Sequence, residues 1–314
     1  MAIVTADSCK YHMAIDGGAS KTELCVFDPV TKAESHFFSG CSNYKNPESD
    51  TKKAIIDDGI ARVFAEMGIG PDQIIGLVMG LSGCDSQKDH DFFMSIANLS
   101  GVSRERIYIC NDCELPFFSN GKPPGLSVVA GTGSIVTGFT KSLSKARSGG
   151  WGSAISDEGS GGWIGLYVIR DLLRYYDGYG EYQPIFGIIR EHLGEAAFDL
   201  MPGIFSQSSL QEIAGYARLV MARAHEGDEY CRAVTASAAE LVAEISWSVY
   251  RKMGFPDEKS VDVVMSGSLF YSPLFSETFK KSMMSRVSIS NLNFCGEISS
   301  PVMGGIALSC SMFG

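Results

Sequence analysis

The stretch "LSVVAGTGSIVTGF" (residues 126–139) repeats the design of "MAIDGGASKTELCVF" (residues 13–27). Each reads as an apolar run, a glycine-rich turn with small hydroxyl residues, and a second apolar run. That pattern is a β-hairpin signal, and its turn leaves backbone N–H groups exposed. Two such hairpins, each opening one half of the chain, predict a duplicated architecture with a cleft between the halves.

The surroundings extend the α/β reading. "HFFSGCSNY" (36–44) adds a strand, and Asn46-Pro47 looks like a helix start. Ile56, Ile60, Val63, Phe64 and Met67 share one helical face, with Gly68 placed to end it. "IIGLVMGLSG" (74–83) reads as a buried strand, 86–98 as a helix and "RIYICND" (106–112) as a strand. "GKPPG" (121–125) marks a boundary. Beyond the second hairpin the chain turns mostly helical. Ser156 and Asp157 are expected to cap a helix over 160–176, and "VDVVMSGSLF" (261–270) returns to a buried strand. "RVSISNLNF" predicts a last strand, before a small-residue helix over 302–312.

Composition excludes several classes. A net charge of −10 and a pI near 5.0 argue against nucleic-acid and anionic-membrane partners. No run of eighteen apolar residues is present, and the N-terminal stretch lacks the plan of a secretion signal. Nine scattered cysteines read as reduced thiols, so a cytoplasmic location is expected. Cys110 and Cys113 form a C-x-x-C, a redox or metal half-site with no second half; core-lining thiols are the plainer reading.

Three glycine–hydroxyl turns follow strands: "DGGASKT", "AGTGS" and "MSGSL". Their N–H groups can cradle phosphate oxygens. Neither a P-loop nor a dinucleotide fingerprint occurs. Asp112 closes a strand where a carboxylate could take a proton from an alcohol, although a turn or cap aspartate is the alternative. "GGWGSAISDEGSGGWIG" (149–165) sets glycines beside Trp151, Asp157 and Glu158: a ring that could stack on a pyranose or simply pack, and carboxylates that could bind sugar hydroxyls or cap the helix.

Together "AIDGGASKTELCVF", "LSG" (81–83), "ICNDC", "VVAGTGS", "GGWG" followed by "DEGS", and "VMSGSLF" resemble the N-acetylglucosamine kinases. These lie within the BadF/BadG/BcrA/BcrD ATPase family of the actin-like, sugar-kinase and Hsp70 superfamily. The resemblance spans nearly the whole chain. It implies two ribonuclease-H-like domains: 1–117, joined by the helix 301–314, and 118–300.

It also implies ATP and Mg²⁺ as cofactors, with Asp112 as general base toward the C6 hydroxyl of an amino-sugar. Asp16 would serve Mg²⁺. Gly17, Gly18, Ser20, Lys21 and Thr22, then Gly131, Thr132, Gly133 and Ser134, then Gly267, would serve ATP. Asn43, Ser82, Gly83, Gly150, Trp151, Gly152 and Asp157 would contact the sugar. Departures are Pro123-Pro124 before the second phosphate turn, Ala19 for a third glycine, and Ser153 where some relatives carry histidine. Dimers are common among such kinases, though no apolar stripe here marks an interface. A glucosamine or other hexose kinase, an ATPase activating a reductive dehydratase, and a sugar-sensing protein remain alternatives.

Overall fold

In the computed structural model the described residues are 10–18, 21–40, 49–152, 155–194, 208–287, 292–296 and 300–314. They divide into two compact units, Met1–Lys122 with Glu297–Gly314, and Pro123–Gly296.

The first unit holds a five-stranded sheet in the order β3-β2-β1-β4-β5. Strands β1 (Tyr11–Gly17), β2 (Thr22–Phe27) and β3 (Glu34–Ser39) form an antiparallel meander, and β4 (Ile74–Leu81) and β5 (Ile107–Cys110) continue it in parallel. Alternation along β1 explains its central place. Met13 and Ile15 point into a core with Leu24, Val26, Ile56, Ile60, Val63 and Phe93, whereas Ala14 packs with Cys25, Val302 and Ile306 on the other face. Helices α1 (Ser49–Met67) and α2 (Gln87–Ala97) cover the first face. The expected start of α1 at Asn46-Pro47 lies outside the described residues; Gly68 leaves the helix at φ +63. Helix α3 (Leu115–Asn120) packs against the closing helix Pro301–Phe313 on the second face, so residues 118–122 belong to this unit.

The second unit repeats this topology. Its sheet runs β10-β9-β6-β7-β8, with β6 (Gly125–Ala130), β7 (Ser134–Phe139) and β8 (Lys145–Gly149) as the meander. Strands β9 (Val261–Ser266) and β10 (Leu292–Gly296) follow in parallel. The duplication expected from two short hairpins is therefore a duplication of whole sheets. Helices α4 (Gly161–Tyr176), α5 (Pro184–Leu193), α6 (Leu210–His225), α7 (Glu229–Lys252) and α8 (Pro273–Arg286) build the larger core, and Pro301–Phe313 is α9. Among the described residues no helix is long and apolar enough to cross a membrane.

One expectation needs correction. Helix α4 is capped by Ser160, whose hydroxyl accepts from Trp163 N–H at 3.1 Å, not by Ser156 or Asp157. Asp157 instead sits at φ +61, a left-handed backbone that breaks the chain before the helix starts.

Candidate active site

In the first unit the strand ends β1, β4 and β5 carry three connected turns. The β1–β2 turn closes with Gly18 N–H donating to Lys21 C=O at 3.0 Å; Ala19 and Ser20 at its tip lie outside the described residues, as does Asn43. Ser82 N–H donates to Gly17 C=O at 2.8 Å, so Ser82 and Gly83 (φ +90) are fastened beside that turn. The Asn111 amide donates to Asp85 Oδ1 at 3.0 Å, which ties the turn after β5 to the one after β4. Asp16 is the penultimate residue of β1, partly buried.

Asp112 opens the short turn Asp112–Glu114, but it is not the capping residue. Asn111 caps: its Oδ1 accepts from Cys113 N–H at 3.1 Å, while Glu114 Oε1 accepts from Asn111 N–H at 3.1 Å. The Asp112 carboxylate accepts from the neighbouring Cys113 N–H at 3.0 Å. Burial pushes its pKa up to about 6, the Cys113 N–H opposes this, and the Asp85 charge adds to the rise. A carboxylate with that affinity for protons suits a general base at neutral pH. Cys110 and Cys113 are not joined in a disulfide, and no described cluster of three His, Cys, Asp or Glu could hold a metal.

Two hydroxyls expected at phosphate also brace the fold. Thr22 and Ser134 are equivalent, each opening the second strand of its hairpin. Both are buried: Thr22 donates to Gly40 C=O at 2.7 Å, and Ser134 donates to Glu158 C=O at 2.8 Å. Lys21 also turns aside, with its ammonium 3.5 Å from Glu23 and 5.5 Å from the Phe38 ring centroid.

In the second unit the turn 131–133 is anchored to the start of α4. Gly161 N–H donates to Gly131 C=O at 2.7 Å and Gly162 N–H to Thr132 C=O at 3.0 Å. The helix terminus thus spends these donors on the turn. Asp157, only 5% exposed, lies beneath: its Oδ1 accepts from Gly152 N–H at 3.2 Å, and a β-carbon on Gly133 would come within 2.8 Å of Oδ2. Asp157 therefore links the sugar-type loop to the phosphate-type turn. Gly150 N–H donates to Ser134 C=O at 2.9 Å, which adds a second link. Gly150 and Gly152 adopt φ +72 and +96, and Trp151 between them is 65% exposed with the Arg147 guanidinium 4.3 Å over its ring. Arg147 carried no motif that sequence reading could use.

Not every glycine of that stretch faces a ligand. A β-carbon on Gly159 would meet Ala238 C=O at 2.0 Å, and one on Gly165 would meet Ile213 C=O at 2.0 Å. These positions let helices α7 and α6 close onto the loop and onto α4.

A pocket of about 420 Å³ opens within the second unit. It is lined by Gly131, Thr132 and Gly161 of the phosphate-type turn and the start of α4, by Ser268 and Leu269, and by Gln211, Ala214, Gly215, Ala217, Arg218 and Met221 of α6. Gly267 does not line it. It turns at φ +96 where a β-carbon would lie 2.4 Å from Ala130 C=O, and so brings Ser268 and Leu269 to the wall. The α6 wall escaped sequence reading; its only signal was Ala214-Gly215 on an otherwise buried helical stripe.

The model of the BadF/BadG/BcrA/BcrD ATPase family matches residues 14–293. The N-acetyl-D-glucosamine kinase of Dictyostelium discoideum is 29% identical over 96% of this chain and 98% of its own length. The N-acetylmuramic acid/N-acetylglucosamine kinase of Clostridium acetobutylicum is 29% identical over 87% of this chain and 90% of its own. A solved structure from Chromobacterium violaceum, provisionally named an N-acetylglucosamine kinase, superposes with a TM-score of 0.72 at 19% identity, over 96% of this chain and 99% of that one. The fold is the two-domain, actin-like ATPase fold of sugar kinases.

Proposed function

We propose, for a chain that belongs to the BadF/BadG/BcrA/BcrD ATPase family, ATP-dependent phosphorylation of an amino-sugar, N-acetyl-D-glucosamine at its C6 hydroxyl. The observation that carries the chemical step is Asp112, relieved of capping by Asn111 and made basic by burial. Its carboxylate takes the hydroxyl proton as the sugar oxygen bonds to the γ-phosphorus. The bond to the β–γ bridging oxygen breaks, and ADP leaves with that electron pair.

The remaining residues bind and orient. The Gly131–Gly133 turn, whose Gly131 N–H is taken by Gly133 C=O, offers the N–H groups of Thr132 and Gly133 to phosphate oxygens, and the β1–β2 turn, with Gly18 N–H taken by Lys21 C=O, serves phosphate through the rest of its backbone. The α6-lined pocket takes the nucleoside. The turn from Gly150 to Gly152 offers main chain to sugar hydroxyls, and Trp151 offers a ring face to the apolar side of the pyranose. Asp157 holds that turn in register with the phosphate turn.

Asp16 fits a Mg²⁺ that arrives on the nucleotide, since such ions commonly use one or two carboxylates plus phosphate oxygens. When bound, the ion neutralises charge on the transferring oxygens. The arrangement of three turns on one sheet edge leaves Ser82 and Gly83 as further sugar contacts.

The test is ADP release from MgATP with N-acetylglucosamine, N-acetylmuramic acid, glucosamine, glucose or no sugar. Turnover that needs an N-acetylated sugar supports the reading. Preference for glucose would move the chain to the hexose kinases, and steady ADP release indifferent to sugar would make it an ATPase.

A further inference from the structure

We infer that Gly215 and Arg218 of α6 form the base-reading wall of the nucleotide pocket, with the base sliding over Gly215 and the Arg218 guanidinium stacking on its outer face. The inference rests on the kinase reading and names a specificity element within it.

Position along the helix sets which part of a nucleotide each residue meets. Ala214 lies beside Gly161, whose N–H holds the phosphate-type turn: a β-carbon on Gly161 would be 3.6 Å from Ala214 Cβ. Arg218 is four residues further on, ~6 Å along the axis, and Met221 about 10 Å. A triphosphate seated at Gly131–Thr132 therefore puts ribose and base, not phosphate, opposite Arg218.

The local surface suits a flat ring. Ala214, Gly215 and Ala217 present little beyond backbone, and Leu269 adds an apolar side chain to the same lining. Among the described residues a β-carbon on Gly215 would meet nothing closer than Arg218 Nη2, at 3.9 Å. The slot over Gly215 is thus open, with the guanidinium at its edge. Arg218 is exposed and has no hydrogen bond or ion pair among the described residues, so stacking would not break an existing partnership. A planar cation over an aromatic face gains about 0.5–2 kcal/mol, a factor of roughly 2 to 30 in affinity.

Two variants separate this from a structural or purely electrostatic role. Arg218→Ala is expected to raise KM for ATP ~5- to 10-fold, with the loss falling on KM more than on kcat. Inhibition by inorganic tripolyphosphate, which carries no base, should keep its Ki. Arg218→Lys, which retains charge but loses the plane, should not restore KM. Gly215→Ala has room in the free protein and a better helix propensity, so it should raise the unfolding temperature while raising KM for ATP.

Unchanged KM in Arg218→Ala, full rescue by lysine, or a tripolyphosphate Ki that rises in parallel would overturn the inference. So would a Gly215→Ala variant whose KM for ATP is unaltered. Failure of the underlying reading looks different: the unmodified protein itself would then neither turn over nor be stabilised by ATP.

Discussion

The Arg147 guanidinium sits 4.3 Å over the ring of Trp151, which remains 65% exposed. One face of the indole is therefore occupied by a cation that also holds the ring's orientation, and only the opposite face is left for a ligand. Trp151→Ala should raise KM for the sugar about tenfold, from loss of a stacking surface of about 1–1.5 kcal/mol. Arg147→Met should raise it only a few-fold by loosening the ring, and KM for ATP should stay within twofold in both. Steady-state kinetics with each substrate varied in turn decides this; equal losses for both substrates would remove the ring from the sugar site.

Asp112→Asn should lower kcat by ~10² or more while the sugar still binds, as removal of a general base requires. In the unmodified enzyme kcat/KM should fall as pH drops through about 6, where the carboxylate protonates. A flat profile from pH 7.5 to 5 would take Asp112 out of the proton transfer.

The same carboxylate has a stability consequence of opposite sign to its catalytic one. Its folded pKa lies above the unfolded value of 3.8, so burying the charge opposes folding at neutral pH. That penalty is complete above about pH 6 and disappears as pH falls toward 3.8. Asp112→Asn should therefore be more stable than the parent at pH 8, by on the order of 1–3 kcal/mol and with a higher unfolding temperature, and lose the advantage near pH 4. Differential scanning at the two pH values measures it.

Ser160→Ala tests whether the start of α4 positions the phosphate turn. Loss of the cap should remove about 1 kcal/mol of stability. Because the next two N–H groups hold Gly131 and Thr132, KM for ATP should rise too. Thermal unfolding and ATP kinetics on the same variant would show whether the two effects travel together.

Gly159→Ala and Gly178→Ala separate backbone strain from collision. Both glycines have positive φ, +71 and +84, but only at Gly159 would the new methyl strike backbone, 2.0 Å from Ala238 C=O, whereas no described residue lies within 4 Å at Gly178. The first should unfold the loop and abolish activity; the second should cost about 1 kcal/mol with activity kept. Circular dichroism melts of the pair are sufficient.

The hairpins were legible because their information is local: apolar alternation on each side of a glycine turn specifies strand, turn and strand without reference to distant residues. The antiparallel pair at the centre of each sheet follows from them, and Asp112 was visible as a carboxylate at a strand end. What could not be read was which residue does the capping. Asn111 and Ser160 hold that role because the turns around them supply the geometry, and neighbouring Asp112, Ser156 and Asp157 have the same chemistry on paper.

The nucleotide pocket was legible only on one side. Gly131, Thr132 and the turn after Gly267 carried glycine signals, whereas the α6 wall depends on Gly161 and Gly165 letting Ala214 and Ile213 approach from some fifty residues away. The carbonyl partners of Thr22 and Ser134 were not legible for the same reason that Arg147 looked like nothing: a side chain's partner is set by packing. Short-range order is written in the chain because turn and strand preferences act between neighbours in sequence. The partners of a hydroxyl, a guanidinium or a helix face are chosen by contacts that exist only once the chain has folded.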